Sequence, residues 1–158
     1  MTINTIKNKE RTPEILLVED SYGDVFLTKK AFSGRMKVNI TVAKDGEEAM
    51  AILRREAKHA DAPVPDIILL DLNLPKKDGK TVLKEVKSDD LLKVIPVIIL
   101  TSSLAEQDVV RSYGLHANGY IIKPVTIEKF SEVAKSIEDF WFNITILPDQ
   151  KDVEGFSG

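Results

Sequence analysis

Four short segments of this 158-residue chain each end an apolar run on a group that can hold or stabilise charge. ILLVED ends in Glu19 and Asp20, IILLDLNLP carries Asp71, PVIILTS carries Thr101 and GYIIKP carries Lys123. Carboxylates brought together repel: two unit charges about 4 Å apart cost about 4 kcal/mol at an effective dielectric of about 20. A cation or a proton must offset that. The chain has no cysteine, and its two histidines, His59 and His116, lie away from these segment ends. A hard divalent ion with oxygen ligands, Mg²⁺, therefore suits the set, because it binds carboxylates and phosphate oxygens together. A carboxylate can also act as a nucleophile and form an aspartyl phosphate. Asp71 is the best candidate, since it closes the most apolar run. Lys123 and the metal would neutralise the equatorial phosphoryl oxygens, and the Thr101 hydroxyl would donate to one of them. The added phosphate brings roughly −1.5 to −2 charges at neutral pH, so the same chemistry is a switch.

Groups so far apart in sequence converge only if one framework carries them. Residues 14–19, 66–72 and 96–101 are almost continuously apolar and β-prone, as central parallel strands covered on both faces are. Residues 39–43 and 119–122 are shorter and fit flanking strands. Amphipathic stretches lie between and after them, at 24–34, 46–58, 80–88, 104–113 and 127–144. Asp45 is read as the N-cap of the second, and Ser103 with Glu106 as a capping box for the fourth. Five strands alternating with five helices predict an α/β fold, a doubly wound five-stranded parallel sheet with helices on both faces and right-handed crossovers. Sites in such sheets form at the carboxyl ends of the strands, near the switch point. All the groups named above fall there.

Composition narrows the class. Hydrophobic residues at 43% and charged residues at 30% are ordinary for a soluble domain, and the net charge of −3 gives no electrostatic case for nucleic acid. The polar start MTINTIKNKER lacks the apolar core of a signal peptide, and no apolar run approaches the roughly 20 residues of a membrane span. A cytoplasmic protein is expected, with one domain over 13–143, terminal extensions at 1–12 and 144–158, and no output domain.

These motifs agree in type, order and spacing with one family. The chain resembles a response regulator receiver domain of two-component signalling over about residues 13 to 143. VED at 18–20 is similar to its acidic pair, with Glu where many members have Asp. DLNLPKKDG at 71–79 is similar to the phospho-acceptor segment, TS at 101–102 to the switch hydroxyl and the small residue after it, and KP at 123–124 to the lysine–proline pair. The resemblance implies a flavodoxin-like strand order of 2-1-3-4-5. It implies that a sensor histidine kinase loads Asp71, that Asp20 ligates Mg²⁺ directly with Glu19 acting largely through water, and that Asp71 and the Asn73 carbonyl complete the protein ligands. Thr101 and Tyr120 would move together as the switch, and Asn73 and Ser103 would flank the attacking water and tune phosphate lifetime. ILLDLNLPKKDG and FWFNITILP further resemble the single-domain regulators paired with bacterial phytochrome-type kinases, which tend to form homodimers through the last helix.

Each residue alone has a plainer explanation. Asp20 and Asp71 are as well explained as caps or loop acids, Thr101 as a strand residue, Lys123 as a surface lysine and Tyr120 as strand packing. Phe140, Trp141 and Phe142 cannot all face one side of a helix, which balances a contact surface against cover by the tail. Lys76, Lys77, Lys80, Lys84 and Lys87 are expected to be a solvated helix face. Two rival functions stand beside the phosphorylated module. A phosphatase working through an aspartyl phosphate would want an acid where Asn73 stands, so an enzyme is not expected. A pseudo-receiver would bind partners without phosphorylation, but it would be expected to lack the acceptor or the lysine. No phosphate-binding G-x-x-x-x-G-K-[ST] loop occurs.

Overall fold

The computed structural model describes residues 12–33, 37–102, 105, 114, 117–123 and 126–139. Five parallel strands form one sheet in the order β2-β1-β3-β4-β5: β1 Glu14–Val18, β2 Asn39–Ala43, β3 Ile67–Asp71, β4 Val97–Thr101 and β5 Gly119–Ile122. The helices among the described residues are α1 Tyr22–Ala31, α2 Gly46–Leu53, α3 Gly79–Ser88 and α4 Ile127–Ile137, with a 3₁₀ turn at Ala57–His59. The doubly wound order expected from the sequence is the observed one.

The near-continuous apolar runs are explained by burial on both faces. Every residue of β3 and β4 is buried. Alternate residues serve opposite layers. Leu16, Val18, Ile68, Leu70, Val97 and Ile99 pack with Met50, Leu53, Val82, Leu83 and Val86 of α2 and α3. Ile15, Leu17, Ile67, Leu69, Ile98 and Leu100 pack with Phe32, Ala134 and Ile137 on the side of α1 and α4. Fully burying one such side chain is worth about 1.5–3 kcal/mol, so both layers hold the strand ends rigidly.

Three helices begin where strands end, and each start is capped by a side chain. Ser21 Oγ accepts from the Asp24 N–H, Asp45 Oδ1 from the Glu48 N–H, and Asp78 Oδ1 from the Thr81 N–H. The Asp45 cap was expected. Ser21 was not, and it starts α1 two residues before the expected 24, which sets Asp24 in the first turn.

Two expectations need correction. The helix expected over 46–58 stops at Leu53, because RREAKH offers no further apolar stripe; Arg55 and Ala57 take positive φ values of 54° and 49°, and Arg55 Nε bonds the Ala62 carbonyl at 2.9 Å. Lys87 is not on a solvated face. Its ammonium donates to the carbonyls of Lys93 (3.1 Å) and Ile95 (3.0 Å) and to Asn118 Oδ1 (3.1 Å), tying the end of α3 to the entries of β4 and β5. Burial lowers its pKa. The helix expected over 104–113 lies almost wholly outside the described residues, as do Ser103, His116, Pro124 and the cluster Phe140–Phe142. No helix among the described residues is long and apolar enough to cross a membrane.

Candidate phosphoryl-acceptor site

The sheet delivers Glu19, Asp71, Thr101 and Lys123 to one end because each is the last residue of its strand or the next one. Register makes this specific. Val18 pairs with Leu70, Asp71 with Leu100, and Thr101 with Ile122. Backbone bonds continue past the strands and fix the exits: Glu19 N–H donates to the Ala43 carbonyl (2.9 Å), and Lys123 N–H to the Thr101 carbonyl (2.7 Å).

Lys123 is the centre of the cluster. Its ammonium lies 3.0 Å from Asp71 Oδ2, 2.9 Å from Asp24 Oδ2 and 2.6 Å from Glu19 Oε1. The contact to Glu19 is an ion contact poorly aligned for a hydrogen bond, whereas those to Asp24 and Asp71 are well aligned. Burial alone would lower the Lys123 pKa; the three carboxylates of Glu19, Asp24 and Asp71 around the ammonium more than offset it and raise the pKa above the ordinary lysine range. This lysine is a permanent cation.

The acids are unequal. Glu19 and Asp71 are 1% and 4% exposed, while Asp20 faces solvent. Burial, followed by the neighbouring Asp71, pushes Glu19 up to about 7 despite the opposing pull of Lys123. One oxygen each from Glu19, Asp20 and Asp71 lies within 4.8 Å of the others. That donor set, three hard oxygens facing a common space, fits a divalent cation of the Mg²⁺ kind.

The segment after β3 is held at several points. Asp71 Oδ1 accepts the Asn73 N–H at 3.0 Å, and the Gly79 N–H donates to the Leu72 carbonyl at 3.1 Å. A Cβ on Gly79 would come within 2.3 Å of the Asp71 carbonyl oxygen, so this return beside the acceptor requires glycine. Thr101 is fully buried at the end of β4. Tyr120, opposite Ile99 on β5, is half-buried against the layer of α2 and α3.

The structure therefore brings together Glu19, Asp20, Asp71 and Lys123, with Thr101 and Asn73 on the adjoining strand end and loop. Asp24 is a partner the sequence reading missed. The signal was present as Ser21-Tyr22-Gly23-Asp24, a cap followed three residues later by an acid.

The chain is similar to proteins of one family. Residues 15–135 match the family described as the response regulator receiver domain. The response regulator Rcp1 of Synechocystis sp. is 42% identical over 135 residues, which cover 85% of this chain and 92% of that protein. The crystal structure of the phosphorylated cyanobacterial phytochrome response regulator RcpA superposes with a TM-score of 0.81 at 45% identity, covering 88% of this chain and 100% of that one. The Mn²⁺-bound form of Rcp1 superposes with a TM-score of 0.77 at 41% identity, covering 87% and 99%.

Proposed function

The chain belongs to the response regulator receiver family, and on that footing we propose that it takes a phosphoryl group onto Asp71 from the phosphohistidine of a sensor histidine kinase, in a Mg²⁺-dependent step. The observation that carries this reading is the setting of Asp71. Its carboxylate is buried, fixed at Oδ1 by the Asn73 N–H and at Oδ2 by the Lys123 ammonium, and adjoins the oxygens of Glu19 and Asp20.

Glu19, Asp20 and Asp71, with the Asn73 carbonyl, would hold the metal. When bound, it supplies charge neutralisation for the phosphoryl oxygens. One Asp71 oxygen attacks phosphorus; the new O–P bond forms as the P–N bond to the imidazole breaks, and the electron pair leaves with the ring nitrogen. Lys123, a cation at all relevant pH, balances the charge that arrives. Thr101 donates its hydroxyl to a phosphoryl oxygen. Thr101 moves toward the phosphate as it does so, Tyr120, one strand over, moves with it, and Asn73 and Ser103 tune the hydrolysing water.

The phosphoprotein then acts by binding a partner or passing the phosphoryl group on. The names of Rcp1 and RcpA, the second a phytochrome response regulator, favour a phytochrome-type kinase as donor. Homodimerisation through the last helix and action in the cytoplasm belong to the same reading.

The test is intact mass after incubation with acetyl phosphate and Mg²⁺, for the wild type and Asp71→Asn. A single phosphate adduct that needs Mg²⁺ and vanishes in the variant supports the acceptor. No adduct, or one that survives Asp71→Asn, overturns it.

A further inference from the structure

The loop that carries Asn73 is pressed from outside the site by a turn with no chemistry of its own. A Cβ built on Gly46 would lie 2.0 Å from the Lys77 carbonyl oxygen, 2.7 Å from its carbonyl carbon and 2.8 Å from its Cβ. The first turn of α2 and the backbone of the loop are therefore in direct contact, and no side chain fits between them.

Charged pairs surround that contact. Asp45, the cap of α2, lies 3.6 Å from the Lys76 ammonium through Oδ2, while its Oδ1 holds the Glu48 N–H. Lys77 reaches Glu85 Oε2 at 2.7 Å, and Arg54 of the α2 end reaches Glu85 Oε1 at 3.6 Å. Lys76 adopts φ of +62°, a left-handed conformation that costs a non-glycine residue free energy. Surface pairs of this kind are individually weak. Together with the glycine contact they hold a loop whose two ends lie against Asp71, at Asn73 by a hydrogen bond to Oδ1 and at Gly79 by close backbone packing.

We propose that the Asp45–Gly46 turn is a positioning element for phosphorylation: by closing directly on the Lys77 carbonyl it sets where the 72–78 loop lies, and through Asn73 it tunes divalent-metal loading at Asp71. Neither residue touches the metal or the phosphoryl group. The inference rests on the reading of Asn73 as part of the metal site.

The experiment is a Mg²⁺ titration of adduct formation from acetyl phosphate, with amide-hydrogen exchange of residues 72–78 read in metal-free buffer beside it, comparing the wild type with Gly46→Ala, which changes no charge and should speed that exchange. The Mg²⁺ midpoint is expected to rise at least threefold in the variant, with the rate largely recovered at saturating Mg²⁺. Mere unfolding would instead lower the adduct at every Mg²⁺ concentration by the unfolded fraction. A folded Gly46→Ala protein with an unchanged midpoint overturns the proposal while leaving the acceptor assignment intact. Failure of the wild type to form a Mg²⁺-dependent adduct removes both. Should Gly46→Ala not fold, Asp45→Asn keeps a good helix cap. There the midpoint should rise about 1.5-fold or more and amide hydrogens of 72–78 should exchange faster, because the Asp45–Lys76 pair no longer holds the loop; unaltered exchange in that loop overturns the proposal.

Discussion

Two partly buried lysines, each reaching three oxygen atoms, stand at opposite ends of the sheet. Lys123, at the carboxyl end, meets the carboxylates of Glu19, Asp24 and Asp71. Lys87, at the amino end, meets two backbone carbonyls and the Asn118 amide. Burial costs both of them, yet the Lys123 pKa is raised and the Lys87 pKa is lowered. The difference lies in the partners. Neutral dipoles solvate an ammonium without holding its charge, so Lys87 is a bracket between loops. Carboxylates crowd around Lys123, and burial, followed by the neighbouring Asp71, raises the Glu19 pKa despite that cation. One end of the sheet is bonded to neutral dipoles, and the other gathers carboxylates whose oxygens fit a divalent cation.

The sharpest way to break that comparison is to remove Lys123. Lys123→Met leaves Glu19, Asp24 and Asp71 facing one another with no cation between them. The rate of Mg²⁺-dependent adduct formation should fall at least tenfold, since a charge that stabilises developing negative charge is typically worth a few kcal/mol of barrier. In metal-free buffer the melting temperature at pH 8 should also drop, and Mg²⁺ should restore part of it. An adduct rate within twofold of wild type would put Lys123 in the same class as Lys87.

A second, smaller effect follows from Glu19. Its carboxyl is raised from an ordinary 4.5 to about 7 in the folded protein. Between those two values the folded state binds more protons than the unfolded chain, so stability falls as pH rises through this window. This sign is opposite to that of a carboxylate locked in a simple salt bridge. Mg²⁺, which competes with the proton, should therefore raise the melting temperature more at pH 8 than at pH 5.5. Thermal melts with and without Mg²⁺ at the two pH values check this. An equal Mg²⁺ increment at both would mean that Glu19 does not face the metal.

The charged end was legible in the sequence because strand ends are chemically conspicuous: VED, LLD, ILT and IIK each put a polar group after a run that has to be buried. Parallel pairing then leaves those groups only one end to share. Asp24 was missed because α1 was read as starting too late, although its Ser21 cap was visible. The Gly46–Lys77 contact had no signal of its own, since it joins the start of α2 to a loop about thirty residues away and depends on how α2 and α3 pack. Lys87 was misread for a related reason. A lysine on an amphipathic helix is usually solvated, and only the position of Asn118, placed by β5, shows that this one is not.

Lys87 supplies the smallest expected effect and the cleanest control. Lys87→Met deletes three hydrogen bonds, but two of the freed carbonyls, on Lys93 and Ile95, belong to a loop that water can reach in part. The third acceptor, Asn118 Oδ1, keeps the Val97 N–H at 2.9 Å. The variant also escapes the cost of holding a charge in a half-buried place, which offsets part of the loss. A net destabilisation of about 1–2 kcal/mol is expected, a fall in melting temperature of about 2–8 °C. The Mg²⁺ midpoint and the adduct rate should stay within twofold of wild type, because the strand ends at the site are held by both packed layers and not by this bracket. A Lys87→Met protein that is scarcely destabilised yet loads Mg²⁺ several-fold more weakly would mean that the two ends of the sheet are coupled, and the division between a bracket and a charge-accepting site would fail.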